Sequence, residues 1–331
     1  MSIPVRWGVL GGAWVARRRV MPAIQQVEQA TLAAVASRDL DKARQLGAQF
    51  DAPAAYGSYQ ALLDDPQVEV VYIPLPNPLH AEWSIRALRA GKHVLCEKPL
   101  TMDAVQARRV QAVRDEMDLY CLEAFAYRFN PVVAKAFEIA HSGVLGELRH
   151  IHTAMSFLMD PIDPDNLRMK PEMGGGALYD VGCYAINAQR LLAGREPLTA
   201  WATLEWSEQF GVDMAGTATL DFGDGLWGTV HWGFNAAYGA PLVMVGTDAR
   251  LTAPHGWRPP PDEPALWMDV GDETTAIYVE RVDDYVGEVR DLSLAVRGER
   301  EPLYAWEPLD ANMRVLDACL ASDKSGRAEQ V

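Results

Sequence analysis

The chain has 331 residues, 49% hydrophobic and 23% charged, which is material for two packed cores rather than one small domain. Its formal net charge of -15 argues against a nucleic-acid partner or an anionic membrane surface, both of which demand clustered Lys and Arg. Four cysteines without a CxxC pair or Cys/His metal spacing read as reduced thiols; with neither a secretory leader nor a run of membrane-spanning length expected, the predicted compartment is the cytoplasm.

Residues 5–10 are a short apolar run, followed by a small-residue loop and a helical pattern to about residue 27. A second apolar run covers 31–36, with a polar helix beginning near residue 39 or 41. Residues 68–74 form a third run, 80–90 a helix ended by Gly91, 92–96 a fourth run, 102–116 another helix and 119–123 a fifth run. Alternation of near-continuous apolar strands with helices predicts a doubly wound parallel sheet, covered on both faces, with ligands at the carboxyl ends of its strands.

The loop Gly11-Gly12-Ala13-Trp14-Val15-Ala16 stands where a dinucleotide fingerprint belongs, after strand one and opening helix one. Small residues there let the backbone approach a pyrophosphate and aim helix N–H groups at it. The strict G-x-G-x-x-G is not met, since Ala13 and Ala16 occupy the later glycine positions. At the tip of strand two, Ser37 and Arg38, with Lys42 four residues on, suit a 2′-phosphate and predict NADP(H). The competing reading gives the ribose of NAD to Asp39 and leaves Arg38 as a surface charge. Three further segments fall at strand ends: Leu75-Pro76-Asn77-Pro78-Leu79-His80, Glu97-Lys98-Pro99 and Tyr127-Arg128-Phe129-Asn130-Pro131. A lysine held in the crevice could polarise a hydroxyl or carbonyl, but the triplet by itself also fits a surface Glu–Lys pair.

In combination, the N-terminal loop, Pro76-Asn77-x-x-His80, Glu97-Lys98-Pro99 and Tyr127-Arg128-Phe129-Asn130-Pro131 resemble the glucose–fructose oxidoreductase / inositol dehydrogenase / MocA family. The likeness covers essentially the whole chain and is strongest to the branch of dimeric dihydrodiol and NADP-dependent D-xylose dehydrogenases. It implies a Rossmann domain followed by a domain on a large, mostly antiparallel open sheet, with Lys98 at the nicotinamide and substrate. It also implies that the cofactor is bound by Gly11 to Ala16, Ser37, Arg38, Lys42, Leu75, Pro76, Asn77, His80, Glu97, Lys98 and Arg128.

A glycine triplet, Gly174-Gly175-Gly176, opens a predicted helix to about residue 193, with Gly194 as its C-cap. Asp180, Tyr184 and Asn187 share one polar stripe, which by spacing alone reads as a solvated face. The resemblance makes that stripe the second catalytic element, and Tyr184 stands where many family members carry His. An ordinary tyrosine pKa of about 10 is too high for a base at neutral pH. A nearby Lys98 ammonium would lower it while Asp180 orients the pair, and neither direction of the reaction needs a metal.

Beyond residue 149 strand-like segments dominate, at 150–157, 200–207, 217–222, 226–234 and 241–245. In 226–234, Leu226, Gly228, Val230, Trp232 and Phe234 share one face, and Trp227, Thr229 and His231 the other. Seven of the ten tryptophans lie beyond residue 200, so both faces of the sheet should be covered, one by helices and one by a second subunit. Residues 285–297 and 311–321 read as helices. Arg168, Tyr127 and Asn130 are candidate substrate contacts. The expected domains are 1–124, binding NADP, and 125–331, binding substrate and forming a homodimer or larger. The function expected is NADP-dependent oxidation or reduction of a sugar or cyclic diol. A keto-sugar reductase of the 1,5-anhydrofructose type and a non-catalytic NADP-sensing regulator are the alternatives.

Overall fold

The computed structural model describes residues 3–304 and 307–331. Met1, Ser2, Ala305 and Trp306 lie outside the described residues, and with them the start of the expected leaderless N-terminus and one of the late tryptophans. Packing divides the chain into two compact units, residues 1–129 with 282–310, and residues 130–281 with 311–331.

Among the described residues, the first unit carries one six-stranded parallel sheet. Its strands are β1 (Val5–Leu10), β2 (Ala30–Ala36), β3 (Ala54–Tyr56), β4 (Val70–Ile73), β5 (His93–Glu97) and β6 (Cys121–Ala124). They lie in the order β3-β2-β1-β4-β5-β6, so the winding reverses between β1 and β4. The carboxyl ends of β1, β4 and β5 therefore flank the crevice where ligands of doubly wound sheets bind. Five of these strands follow the predicted runs. The sixth, β3, has three half-buried residues and is too short to show periodicity.

Helices on both faces explain the unbroken apolar strands. Val5, Trp7 and Val9 join Val20, Ile24, Val289 and Leu292 in one core. Leu10, Val71, Ile73, Val94 and Cys96 join Leu88 and Val110 in the other. Val289 and Leu292 belong to the helix Asp284–Val296, which returns to this unit late in the chain. Trp7 Nε1 donates to Ser293 Oγ of that helix at 3.1 Å.

The second unit is built on a ten-stranded mixed sheet. Its strands are β7 (Leu148–Leu158), β8 (Thr199–Trp206), β9 (Asp213–Asp221), β10 (Trp227–Gly233), β11 (Asn235–Gly239), β12 (Leu242–Gly246), β13 (Arg250–Ala253), β14 (Leu266–Val270), β15 (Glu273–Ile277) and β16 (Glu329–Gln330). The path runs β15-β14-β13-β12-β7-β10-β9-β8-β16, with β11 also on β7. The β7–β10 pair is parallel, and the other described pairs are antiparallel.

One face of this sheet is covered by the helices Cys183–Ala193 and Ala311–Ser325. Thr153 Oγ1 donates to Ala185 O at 2.8 Å, and Gln189 Nε2 donates to Ile151 O and Thr229 O. The opposite face follows the alternation expected for β10: Gly228, Val230 and Trp232 are buried, Trp227 is exposed, and Thr229 and His231 are half-buried.

Candidate active site

Gly11 ends β1 with φ +93°, a conformation that favours glycine, and its N–H donates to Ala36 O at 2.7 Å. That bond straps the loop to the tip of β2. Trp14 begins the helix and is exposed; Ala16 is buried beneath it. The predicted single helix starts as a π segment, Ala16–Val20, before Met21–Gln26. Among the described residues, the second π segment is Leu178–Gly182, at the start of the other predicted site helix. Such wide turns are rare and gather at functional sites.

At the tip of β2, Ser37 Oγ accepts from Asp39 N at 3.3 Å. Asp39 caps the helix Leu40–Gln49: its Oδ1 accepts from Asp41 N at 3.0 Å and Lys42 N at 3.2 Å. Arg38 and Lys42 are exposed, and neither forms an ion pair among the described residues. A backbone that can approach closely, a helix start and two exposed cations make a cradle that fits the phosphates of a dinucleotide.

Leu75 and His80 are buried, with Pro76 and Asn77 half-buried between them. His80 Nδ1 meets Pro99 O at 2.8 Å and Nε2 meets Leu75 O at 2.6 Å, which ties this loop to the Glu97-Lys98-Pro99 turn. Burial pushes the imidazole pKa down, against the pull of the two carbonyls, and the Lys98 charge adds to the lowering. Glu97 Oε1 accepts from the buried Tyr72 hydroxyl at 2.6 Å, and Lys98 is half-buried at the end of β5. Tyr127 is buried, and desolvation drives its phenol pKa upward. Arg128 is also buried, with Nη2 donating to Glu307 Oε2 at 2.8 Å and its guanidinium over the Phe125 and Tyr304 rings.

In the second unit, Asn130 Oδ1 accepts from Val132 N at 2.9 Å and caps the helix Pro131–His141. Arg168 grips Asp180 with two bonds, Nε to Oδ2 at 2.6 Å and Nη2 to Oδ1 at 3.2 Å. Burial opposes the Arg168 charge, but Asp180 and then Tyr184 outweigh it and raise its pKa. The guanidinium thus bears on both Asp180 and the Tyr184 phenol. The Tyr184 ring lies 6.5 Å from that of Trp257 at 28°. Asn187 does not continue the stripe. It is fully buried and donates to Asn312 Oδ1 at 3.4 Å.

Tyr72, Glu307 and Trp257 were not singled out in the sequence, because each acquires its place through partners distant in the chain. Arg168 and Asp180 are only 12 residues apart, yet the intervening turns are irregular and offer no periodicity to read.

Two family models match the chain. Residues 5–125 match the GFO_IDH_MocA model, described as an oxidoreductase family with an NAD-binding Rossmann fold, and residues 133–252 match the GFO/IDH/MocA C-terminal domain. A D-xylose 1-dehydrogenase (NADP(+)) of Haloferax volcanii is 35% identical over 327 residues, covering 98% of this chain and 99% of that protein. A dTDP-3,4-didehydro-2,6-dideoxy-alpha-D-glucose 3-reductase of Actinomadura kijaniata is 35% identical over 300 residues, 90% of each chain. Among solved structures, a 3-ketoreductase from Actinomadura kijaniata in complex with NADP and TDP-benzene superposes with a TM-score of 0.88 at 32% identity, covering 96% of this chain and 98% of that one.

Proposed function

Because the chain belongs to the Gfo/Idh/MocA family of oxidoreductases, we propose that it is an NADP(H)-dependent dehydrogenase or reductase acting on the CH–OH or carbonyl carbon of a sugar or cyclic diol. The observation that carries the cofactor choice is the β2 tip, where Asp39 is occupied as a helix cap and Arg38 and Lys42 stand exposed beside Ser37. NADP(H), when bound, takes up or supplies the hydride. The proton belongs to the chain: Tyr184 takes it from the hydroxyl in oxidation and returns it to the forming alkoxide in reduction. Lys98 assists by favouring the phenolate, and Asp180 assists by fixing Arg168 near the phenol. The family resemblance supports assigning Lys98 and Tyr184 to one reaction.

The same residues serve a keto-sugar reductase, the direction that the 3-reductase and 3-ketoreductase relatives favour. A regulator that only senses NADP would need no proton relay. The open sheet face of the second unit supports a homodimer or larger assembly, and the four buried thiols support a reducing, cytoplasmic compartment.

The test screens pentoses, hexoses, their keto forms and dihydrodiols by NADPH absorbance. Tyr184→Phe and Lys98→Ala should each lower turnover about a hundredfold or more, with NADPH binding retained. Arg38→Ala should weaken NADPH binding. Near-normal turnover in Tyr184→Phe would remove the tyrosine from its role, and unchanged NADPH affinity in Arg38→Ala would sink the cofactor assignment.

A further inference from the structure

The π segment Leu178–Gly182, which carries Asp180 and leads into Tyr184, has no side-chain cap from its own N-terminal residue, Ala177. The N–H of Leu178, which opens the segment, is met from elsewhere. Asp213, at the start of β9, is 3% exposed, and its Oδ2 accepts from Leu178 N at 2.8 Å and from Trp232 Nε1 at 3.0 Å. A carboxylate at that point satisfies an orphan donor and lies against the positive end of the helix.

Space for this carboxylate and its indole is cleared by glycines on two strands of chain. A Cβ on Gly176, itself at φ +107°, would fall 2.1 Å from Asp213 Oδ1. A Cβ on Gly182 would fall 3.0 Å from the Trp232 ring, and one on Gly216 would fall 2.3 Å from it. The backbone is fastened as well: Gly176 N donates to Arg168 O at 2.9 Å, and Asp180 N donates to Gly176 O at 3.2 Å. Arg168, the partner of Asp180, therefore hangs on the same joint. Burial pushes the Asp213 carboxyl up to about 6, with the Trp232 and Leu178 N–H groups pulling it back and Asp323 adding repulsion.

We infer that Asp213, together with Trp232, is a positioning residue that orients the turn carrying Asp180 and Tyr184, so that proton transfer at Tyr184 depends on a carboxylate buried behind the helix. This inference rests on the acid–base role proposed for Tyr184.

The experiment compares wild type with Asp213→Asn, Trp232→Phe and Tyr184→Phe. It measures kcat and KM, NADPH affinity by fluorescence, and the Tyr184 titration as the phenolate absorbance missing from Tyr184→Phe. Asp213→Asn should lower kcat by about ten- to a hundredfold, leave NADPH affinity unchanged and displace the Tyr184 titration. Trp232→Phe, which removes only the indole donor, should move the same two readouts in the same direction by less. Should Asp213→Asn fail to fold, Trp232→Phe decides. Lowered thermal stability with unchanged kcat and an unmoved Tyr184 titration would reduce Asp213 to a structural cap and overturn the inference. Full turnover in Tyr184→Phe would overturn the acid–base reading instead, while the titration still judges the positioning claim.

Discussion

Glu288 lies on the returning helix with 2% of its surface exposed, and among the described residues neither carboxyl oxygen meets a hydrogen-bond partner. Burial first, and then the charges of Glu97, Asp284 and Asp291, push its pKa well up against the pull of Arg128. The folded state therefore holds a proton that the unfolded chain releases near the ordinary carboxylate value. Its contribution to stability is present at low pH and is lost as pH rises through the folded-state pKa. Glu288→Gln should match wild type in thermal melts at acidic pH and melt higher than wild type at alkaline pH. A gap that stays constant across pH would show that Glu288 does not titrate in this way. At this scale the sequence disclosed the residue types at the site but not their partners. Arg128 could be placed at a strand end, whereas its pairing with Glu307 spans 179 residues.

The elements were legible where their signals are local. Asp39 precedes its helix as an N-cap should, and Gly194 closes the helix Cys183–Ala193 in the left-handed conformation expected of a C-cap. Asp39→Ala should cost about 1 kcal/mol by urea unfolding and leave NADPH affinity intact, while Asp39→Ser should restore stability. Loss of NAD affinity in Asp39→Ala would mark the residue as a ribose ligand instead. The π segments were not legible. A widened turn inserts one residue into a 3.6-residue period, and Ala16–Val20 and Leu178–Gly182 are five residues each, too short to stand out in a window of about 11 to 18 residues. The polar stripe was half legible: Asp180 and Tyr184 stay half-buried, whereas Asn187 is buried against Asn312 of another helix.

On the scale of the molecule, the sheet of the second unit presents Trp201 and Trp227 exposed, with Thr203, Thr217, Thr229, His150, His152 and Val243 on the same face. Nine strands in its path, spaced about 4.8 Å apart, span roughly 40 Å, so the face can supply the roughly 800 Å² per partner of a standard interface. The acidic side chains on this face, Glu205 and Asp221, stand toward the strand ends, leaving Thr217, Thr219, Thr229, His150 and His152 between them. Light scattering at micromolar concentration should show a dimer or larger. Thr229→Arg, placing a charge between His150 and His152, should shift it toward monomer without loss of helical circular dichroism. Wild type appearing only as monomer would refute the assembly.

The sequence by itself determined the Rossmann sheet through apolar periodicity and the family through motif spacing, both properties of neighbouring residues, and the family resemblance implied the mostly antiparallel second sheet. Tertiary structure alone decided which side chains meet. It returned 282–310 to the N-terminal unit, brought Arg168 onto Asp180 and set Asp213 beneath the turn that carries it. Those pairings come from packing that no local period encodes, whether the partners are 12 residues apart across irregular turns, as Arg168 and Asp180 are, or 35, as Leu178 and Asp213 are.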